Sequence, residues 1–175
     1  MFSDIMQKLK ARVIKDAPRE KYSTDFIEIE LGVKFSDEYS ALLNHYDGSI
    51  VFDNGAIYRP LQLSPVDNKH GFQILEILYG LSGESNLLKR NQMYHDQIPA
   101  EYVVIGESVG GNQICLSKQN EKVYFWHHEA LTDDTSLFEI AADINSFILS
   151  LEKDDKDHNN DSKREIDESG SFLDF

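Results

Sequence analysis

Residues 103–127, VVIGESVGGNQICLSKQNEKVYFWH, decide the fold of this chain. Three runs, VVIG, NQICLS and KVYFWH, are rich in β-branched and aromatic residues. The glycine-bearing segment 107–111 and the polar segment 118–121 separate them. Short apolar runs between Gly-rich and polar turns predict an antiparallel meander. A four-residue connection before KVYFWH suits a hairpin loop. Gly110 and Gly111 together predict backbone at positive φ or pressed against a neighbour, where a Cβ would obstruct. These three strands are the expected core of a sheet on which the rest of the chain packs.

Toward the N-terminus, Asn54-Gly55 lies between Ile50-Val51-Phe52 and Ala56-Ile57-Tyr58, which predicts a β-hairpin, since both central residues of a type I′ turn need φ > 0. Ser36 is placed as an N-cap, with Asp37 and Glu38 in the first turn, where the helix dipole favours negative charge. Tyr39, Leu42, Leu43 and Tyr46 follow at helical spacing, and Asp47-Gly48 ends that helix. Ser23 or Thr24 caps an earlier helix over residues 25–31, closed by Gly32. Phe26, Ile27, Ile29 and Leu31 crowd too much of its circumference for one stripe and predict cover on two sides. Ile5, Met6, Leu9 and Val13 predict a first amphipathic helix that stops before Pro18. Residues 72–81 (FQILEILYGL) read equally as strand or helix, and residues 84–95 predict a helix with Leu87, Leu88, Met93 and Tyr94 inward. Toward the C-terminus, Leu137, Ile140, Ala141, Ile144, Phe147, Ile148 and Leu151 share one helical face and predict a long helix.

With 175 residues and a 41% hydrophobic fraction, the chain suits one domain with a sizeable core. That domain is expected over residues 1–151. Residues 152–175 carry nine acids against four bases, a net of −5. So polar a segment buries too little surface to offset its ordering entropy, which predicts a disordered acidic tail. Its apolar end, SFLDF, is expected to be a solvated terminus. There is no secretory apolar region at the N-terminus and no run near the roughly 20 residues needed to cross a bilayer. The lone Cys115 rules out an internal disulfide, which fits a reducing cytoplasm. A formal charge of −14 argues against direct binding of nucleic acid or an anionic membrane and favours a basic partner.

The sequence carries few patterns with catalytic chemistry. Residues 106–111 resemble a phosphate loop only superficially, because the Gly-Lys-Ser/Thr ending is missing and a strand follows. Gly106-Glu107-Ser108-Val109-Gly110 fits G-x-S-x-G, but a nucleophile elbow needs a helix after the serine and a parallel βαβ order around it. His127-His128-Glu129 offers metal-binding side chains, yet adjacent strand residues point to opposite faces. Cys115, between Ile114 and Leu116, reads as a small buried side chain. Asp47 and Asp53 around the predicted hairpin and Glu107 in the glycine turn are acids in loops. Trp126 heads an aromatic run whose members belong to the core or serve as interface anchors.

The segment LGVKFSDEYSALLNHYDG resembles the L-G-x-x-L-P-x-x-Y-x-x-L-L…N-G pattern of the SMI1/KNR4 (SUKH) superfamily. IPAEYVVIGESVGGNQICLSKQNEKVYFWHHE resembles its I-G-x-x-x-G-G-N-x-I-C-L…G-K-V-Y-F-W-x-H segment, and LFEIAADINSFILSL its I-A-x-S-F-x-x-F-L segment. The likeness covers residues 24–151, and GGNQICL…KVYFWHHE is its most specific part. Phe35-Ser36 stands where the pattern has Leu-Pro, Asp47-Gly48 where it has Asn-Gly, and Asn145 where it has Ser. The resemblance implies an α+β fold, a mainly antiparallel curved sheet of about five to six strands flanked by helices. It implies a binding role without catalytic residues, cofactor or metal. Bacterial members are typically immunity proteins against polymorphic toxins, many of them nucleases, and fungal members are regulatory scaffolds. The expected partner is therefore a basic toxin domain such as a nuclease, with Asp47, Asp53, Glu107 and Trp126 as candidate contacts. A general interaction scaffold without a toxin is the alternative, and a hydrolase using Ser108 a third.

Overall fold

Serine caps start two of the helices where local chemistry demands. The computed structural model describes residues 1–15 and 21–155. Helix α1 (Ser3–Lys8) leads into β1 (Ala11–Val13). In α2 (Thr24–Leu31) the Ser23 side chain accepts from the Phe26 N–H, and Gly32 closes the helix at φ 65°. In α3 (Asp37–Tyr46) the Ser36 hydroxyl accepts from the Tyr39 N–H, and Tyr39, Leu42 and Leu43 are buried. Strands β2 (Ile50–Phe52), β3 (Ile57–Tyr58) and β4 (Gln73–Leu78) follow, then α4 (Leu87–Met93), capped by Asn86. Strands β5 (Tyr102–Ser108), β6 (Gln113–Ser117), β7 (Val123–Trp126) and β8 (Leu137–Ala141) precede the last described helix, α5 (Ile144–Leu149).

All sheet pairings among the described residues are antiparallel, in the order β1-β2-β4-β5-β6-β7-β8, with β3 attached to β4. The expected α+β class and antiparallel sheet are present, with eight strands rather than five or six. The meander of β5, β6 and β7 is its centre. Gly110 and Gly111 turn the chain at φ 76° and 82°. At the other turn the Ser117 hydroxyl accepts from the Gln119 and Asn120 N–H groups.

Register assigns the faces. Leu116 lies opposite Val103 and Val123, and Ile114 opposite Gly106 and Phe125, so these share one face. On that side α5 packs, with Phe147 edge-on to Tyr58 at 5.2 Å. Gly106 belongs there because a Cβ would lie 2.7 Å from the Ile77 carbonyl oxygen. The opposite face carries Glu107, Gln113 and Trp126 in register, and α4 lies over it, with Tyr94 against Trp126 at 5.7 Å.

Four expectations are corrected. Asn54-Gly55 turns the chain, with Gly55 at φ 73°, but β2 and β3 do not pair. Strand β2 is taken by β1 and β4, and the turn docks elsewhere: Asp53 and Asn54 donate their N–H groups to the Lys10 and Leu9 carbonyls. For the same reason Val13 is not helical. Lys10 turns at φ 52°, and residues 11–13 pair with β2. The long helix expected over 137–151 is a strand followed by a short helix. Residues 137–141 complete the open edge of β7, and Asp143 caps α5 by accepting from Ser146 N–H at 2.7 Å. Finally, α2 is covered on one side only, burying Ile27 while Ile29 stays 78% exposed. The expected stop before Pro18, and the tail from Lys156 onward, lie outside the described residues. Glu152 exchanges two backbone hydrogen bonds with Ile57, both 2.9 Å.

Candidate interaction surface

The α4-covered face of the sheet brings several polar side chains together. Its floor is a buried pair: the Tyr79 hydroxyl donates to Gln113 Oε1 at 2.6 Å, and the Arg90 guanidinium stacks over the Tyr79 ring at 5.2 Å. Arg90 is held by the Ser85 hydroxyl, which accepts from it at 3.0 Å. Asn91 fastens α4 to the sheet. Its side chain accepts from Val104 N–H and donates to the Val104 and Leu87 carbonyls. Burial pushes the Tyr79 hydroxyl far above its usual pKa, and the nearby Glu107 carboxylate adds to the rise. The phenol is therefore a neutral donor throughout the physiological range.

Glu107 projects beside this floor, opposite Ile77 on β4 and Gln113 on β6. Its near neighbour is Glu76, in the bulge of β4 between Leu75 and Ile77. Desolvation and then the Glu107 charge push the Glu76 carboxyl above the ordinary range. Among the described residues neither acid has a lysine or arginine within 4.0 Å. Two like charges are thus held together on a rigid strand pair, an arrangement that a docking cation relieves.

Of the residues singled out beforehand, Glu107 and Trp126 come together on this face, with Gln113 between them. Trp126 is 5% exposed, so its indole serves the packing of α4 and presents little area to a partner. Asp47 and Asp53 stand apart, beyond opposite ends of β2, and both are paired. Asp47 lies 3.7 Å from Lys21 Nζ, and Asp53 accepts from Arg12 Nε at 2.7 Å. The Asp47 backbone also braces the fold, since at φ 66° it turns its carbonyl to accept from Leu81 and Ser82 N–H. Glu76, Tyr79 and Arg90 were missed. The signal for Glu76 was a single acid inside the apolar run FQILEILYGL.

The catalytic alternatives find no geometry in their favour. Ser108 is fully buried, and its hydroxyl donates to the Ile74 carbonyl at 2.5 Å, tying β5 to β4. The turn after it is a short 3₁₀ segment leading into β6, without the helix an elbow requires. His128 N–H donates to Asn112 Oδ1 at 3.1 Å, and His128 Nδ1 lies 2.6 Å from the same oxygen. His127 Nδ1 is 3.4 Å from it, so both histidines face an amide. Among the described residues no three His, Cys, Asp or Glu side chains are grouped to hold a metal. Cys115 is buried, and its burial raises the thiol pKa, which disfavours the reactive thiolate. No helix among the described residues is long and apolar enough to cross a membrane.

Comparison with known proteins agrees with the architecture. The profile of the SMI1 / KNR4 family (SUKH-1) matches residues 24–150. The chain is also similar to the SPbeta prophage-derived protein YokK of Bacillus subtilis (strain 168). The two are 30% identical over 164 residues, spanning 86% of this chain and 85% of that one.

Proposed function

Because the chain belongs to the SMI1/KNR4 family (SUKH-1), we propose that it is a non-enzymatic cytoplasmic immunity protein that neutralises a basic toxin domain, of nuclease type, by direct binding. The observation that carries this reading is the unneutralised Glu76–Glu107 pair on a preformed β scaffold, within a chain of formal charge −14. A nuclease is basic where it holds phosphate, and an acidic surface on a rigid frame mimics that polyanion. The stacked Tyr79 and Arg90 hold the surroundings of the pair in place, so little side-chain entropy is lost on docking.

The test starts in the producing cell. Loss of this protein is expected to arrest cells that make the cognate toxin, and normal growth of such cells removes the immunity reading. With the toxin domain in hand, Glu76→Lys/Glu107→Lys is expected to slow association about tenfold or more at low salt and to flatten its salt dependence. Unchanged association places the contact elsewhere. Capture of housekeeping partners in place of a toxin favours a regulatory scaffold, the family's other known role.

A further inference from the structure

Asn54-Gly55 turns the chain between β2 and β3, and the binding reading makes no use of its chemistry. In an Asn-Gly pair nothing shields the second amide nitrogen, because glycine has no Cβ. Once that nitrogen loses its proton to solvent base, it attacks the asparagine side-chain carbonyl carbon. The new N–C bond closes a succinimide ring as the Cγ–Nδ2 bond breaks, and the departing nitrogen takes up a proton and leaves as ammonia. Water then opens one or other carbonyl of the ring, giving aspartate or isoaspartate. The fold cannot slow this reaction by replacing the glycine. Gly55 stands at φ 73°, and a Cβ on it would lie 2.6 Å from Asp154 Cβ.

Hydrogen bonds hold both reacting groups instead. The proton of the nucleophile is engaged, since Gly55 N–H donates to the Phe52 carbonyl at 3.0 Å. The electrophile is clamped. Asn54 Nδ2 donates to the Lys8 carbonyl at 2.9 Å, the Asn54 N–H donates to the Leu9 carbonyl at 3.1 Å, and the Asn54 carbonyl accepts from Asp154 N–H at 3.2 Å. These partners come from two stretches far from the turn in sequence. They meet it at the end of the sheet, where β1 pairs with β2 alone among the described strands. Short flanking strands open locally at free energies well below that of global unfolding. We propose that Asn54 is a latent deamidation site: its contacts with Lys8, Leu9 and Asp154 protect it, and each opening of this corner exposes it to hydrolytic conversion. The product does not redock. Aspartate sets a carboxylate against the Lys8 carbonyl, two acceptors face to face where an amide had donated. Isoaspartate lengthens the backbone of the turn by one carbon. Conversion therefore frees the turn from residues 8–9 and 154 and leaves Glu76 and Glu107, on β4 and β5, in place.

Mass spectrometry of the full chain, aged at neutral pH, tests the inference by reading the mass change at residue 54. Conversion is expected to run at least about tenfold slower than in an unstructured peptide of residues 50–58, because its rate is the peptide rate multiplied by the open fraction. Equal rates overturn the proposal. In urea, conversion is expected to accelerate before the amides of the β5–β7 meander lose protection from hydrogen exchange. Acceleration only with global unfolding overturns the local opening. As a second arm, Asn54→Asp carries the hydrolysis product from the start. Its Asp154 amide is expected to exchange about tenfold faster than in the parent, with the meander amides unchanged. Parental exchange at Asp154 overturns the proposal, and so does faster exchange throughout the chain, which means general destabilisation. None of these outcomes depends on whether the partner is a toxin.

Discussion

On the α5 side of the sheet Phe125 meets Phe138 and Tyr58 meets Phe147, ring against ring. On the α4 side, strands from the same meander present Gln113 under Tyr79, and Glu107 beside Glu76. One face is an apolar contact layer whose stability scales with area removed from water. The other adds a few directed hydrogen bonds to the packing of Val104, Cys115 and Trp126, and leaves two acids without a lysine or arginine within 4.0 Å among the described residues. The difference teaches that a sheet can divide its labour by side-chain parity: alternate residues of a single strand belong to different problems. Ile114 and Leu116 hold the fold together, while Gln113, between strands bearing Glu107 and Trp126, orders the outer surface.

The comparison is broken most severely by Phe125→Ala. Removing this ring from the α5 side is expected to cost about 3–5 kcal/mol in denaturant unfolding. A loss below about 1 kcal/mol contradicts the division. Gly80→Ala comes next. A Cβ there would lie 2.2 Å from the Gly48 backbone carbon, in the crossing that Asp47 organises, so a loss of about 1–3 kcal/mol is expected. Tyr79→Phe acts on the other face. It leaves the buried Gln113 amide short of a donor and is expected to cost about 1–2 kcal/mol, much of which Gln113→Leu restores in the double variant.

The smallest effect has the opposite sign. Glu76 carries a raised pKa in the fold, so the folded state binds more protons than the unfolded one between the ordinary carboxylate value and the raised one. Stability therefore falls as pH climbs through that window. Glu76→Gln is expected to stabilise the fold slightly at pH 7, by about the few tenths of a kcal/mol typical of exposed charges, read as a higher melting temperature. No gain is expected near pH 4. A destabilised variant at pH 7 means that Glu76 has a cationic neighbour after all.

How much of this was legible depended on how local the deciding interaction is. Ser23, Ser36 and Gly32 act on backbone groups within a turn, and both helices they bound lie where the residues predict. The β5–β7 meander was equally plain, because its partners adjoin in sequence. The Asn54-Gly55 hairpin failed because the partners of β2 come from both earlier and later in the chain, and no local pattern names them. Residues 137–151 failed for a different reason. Leu137, Ile140, Ala141 and Ile144 satisfy helical spacing by coincidence, and only the unpaired edge of β7 draws the first of them into a strand. Of the candidate site, Glu107 was visible as an acid in a glycine turn. Glu76 and Arg90 were not, since the bulge in β4 sets Glu76 near Glu107 and the placement of α4 sets Arg90 over Tyr79.

The backbone exchange between Ile57 and Glu152 sets a constraint on biosynthesis. Strand β3 emerges from the ribosome long before the residue that completes it. Until Glu152 has cleared the exit tunnel, Ile57 has no partner at that edge, and the Tyr58–Phe147 contact close by is equally unmade. So high a contact order delays the last cooperative step until residue 152 is outside the ribosome. A ribosome stalled with β7 emerged and Glu152 still in the tunnel should therefore display a chain with its meander formed and its flank still open to proteases and chaperones.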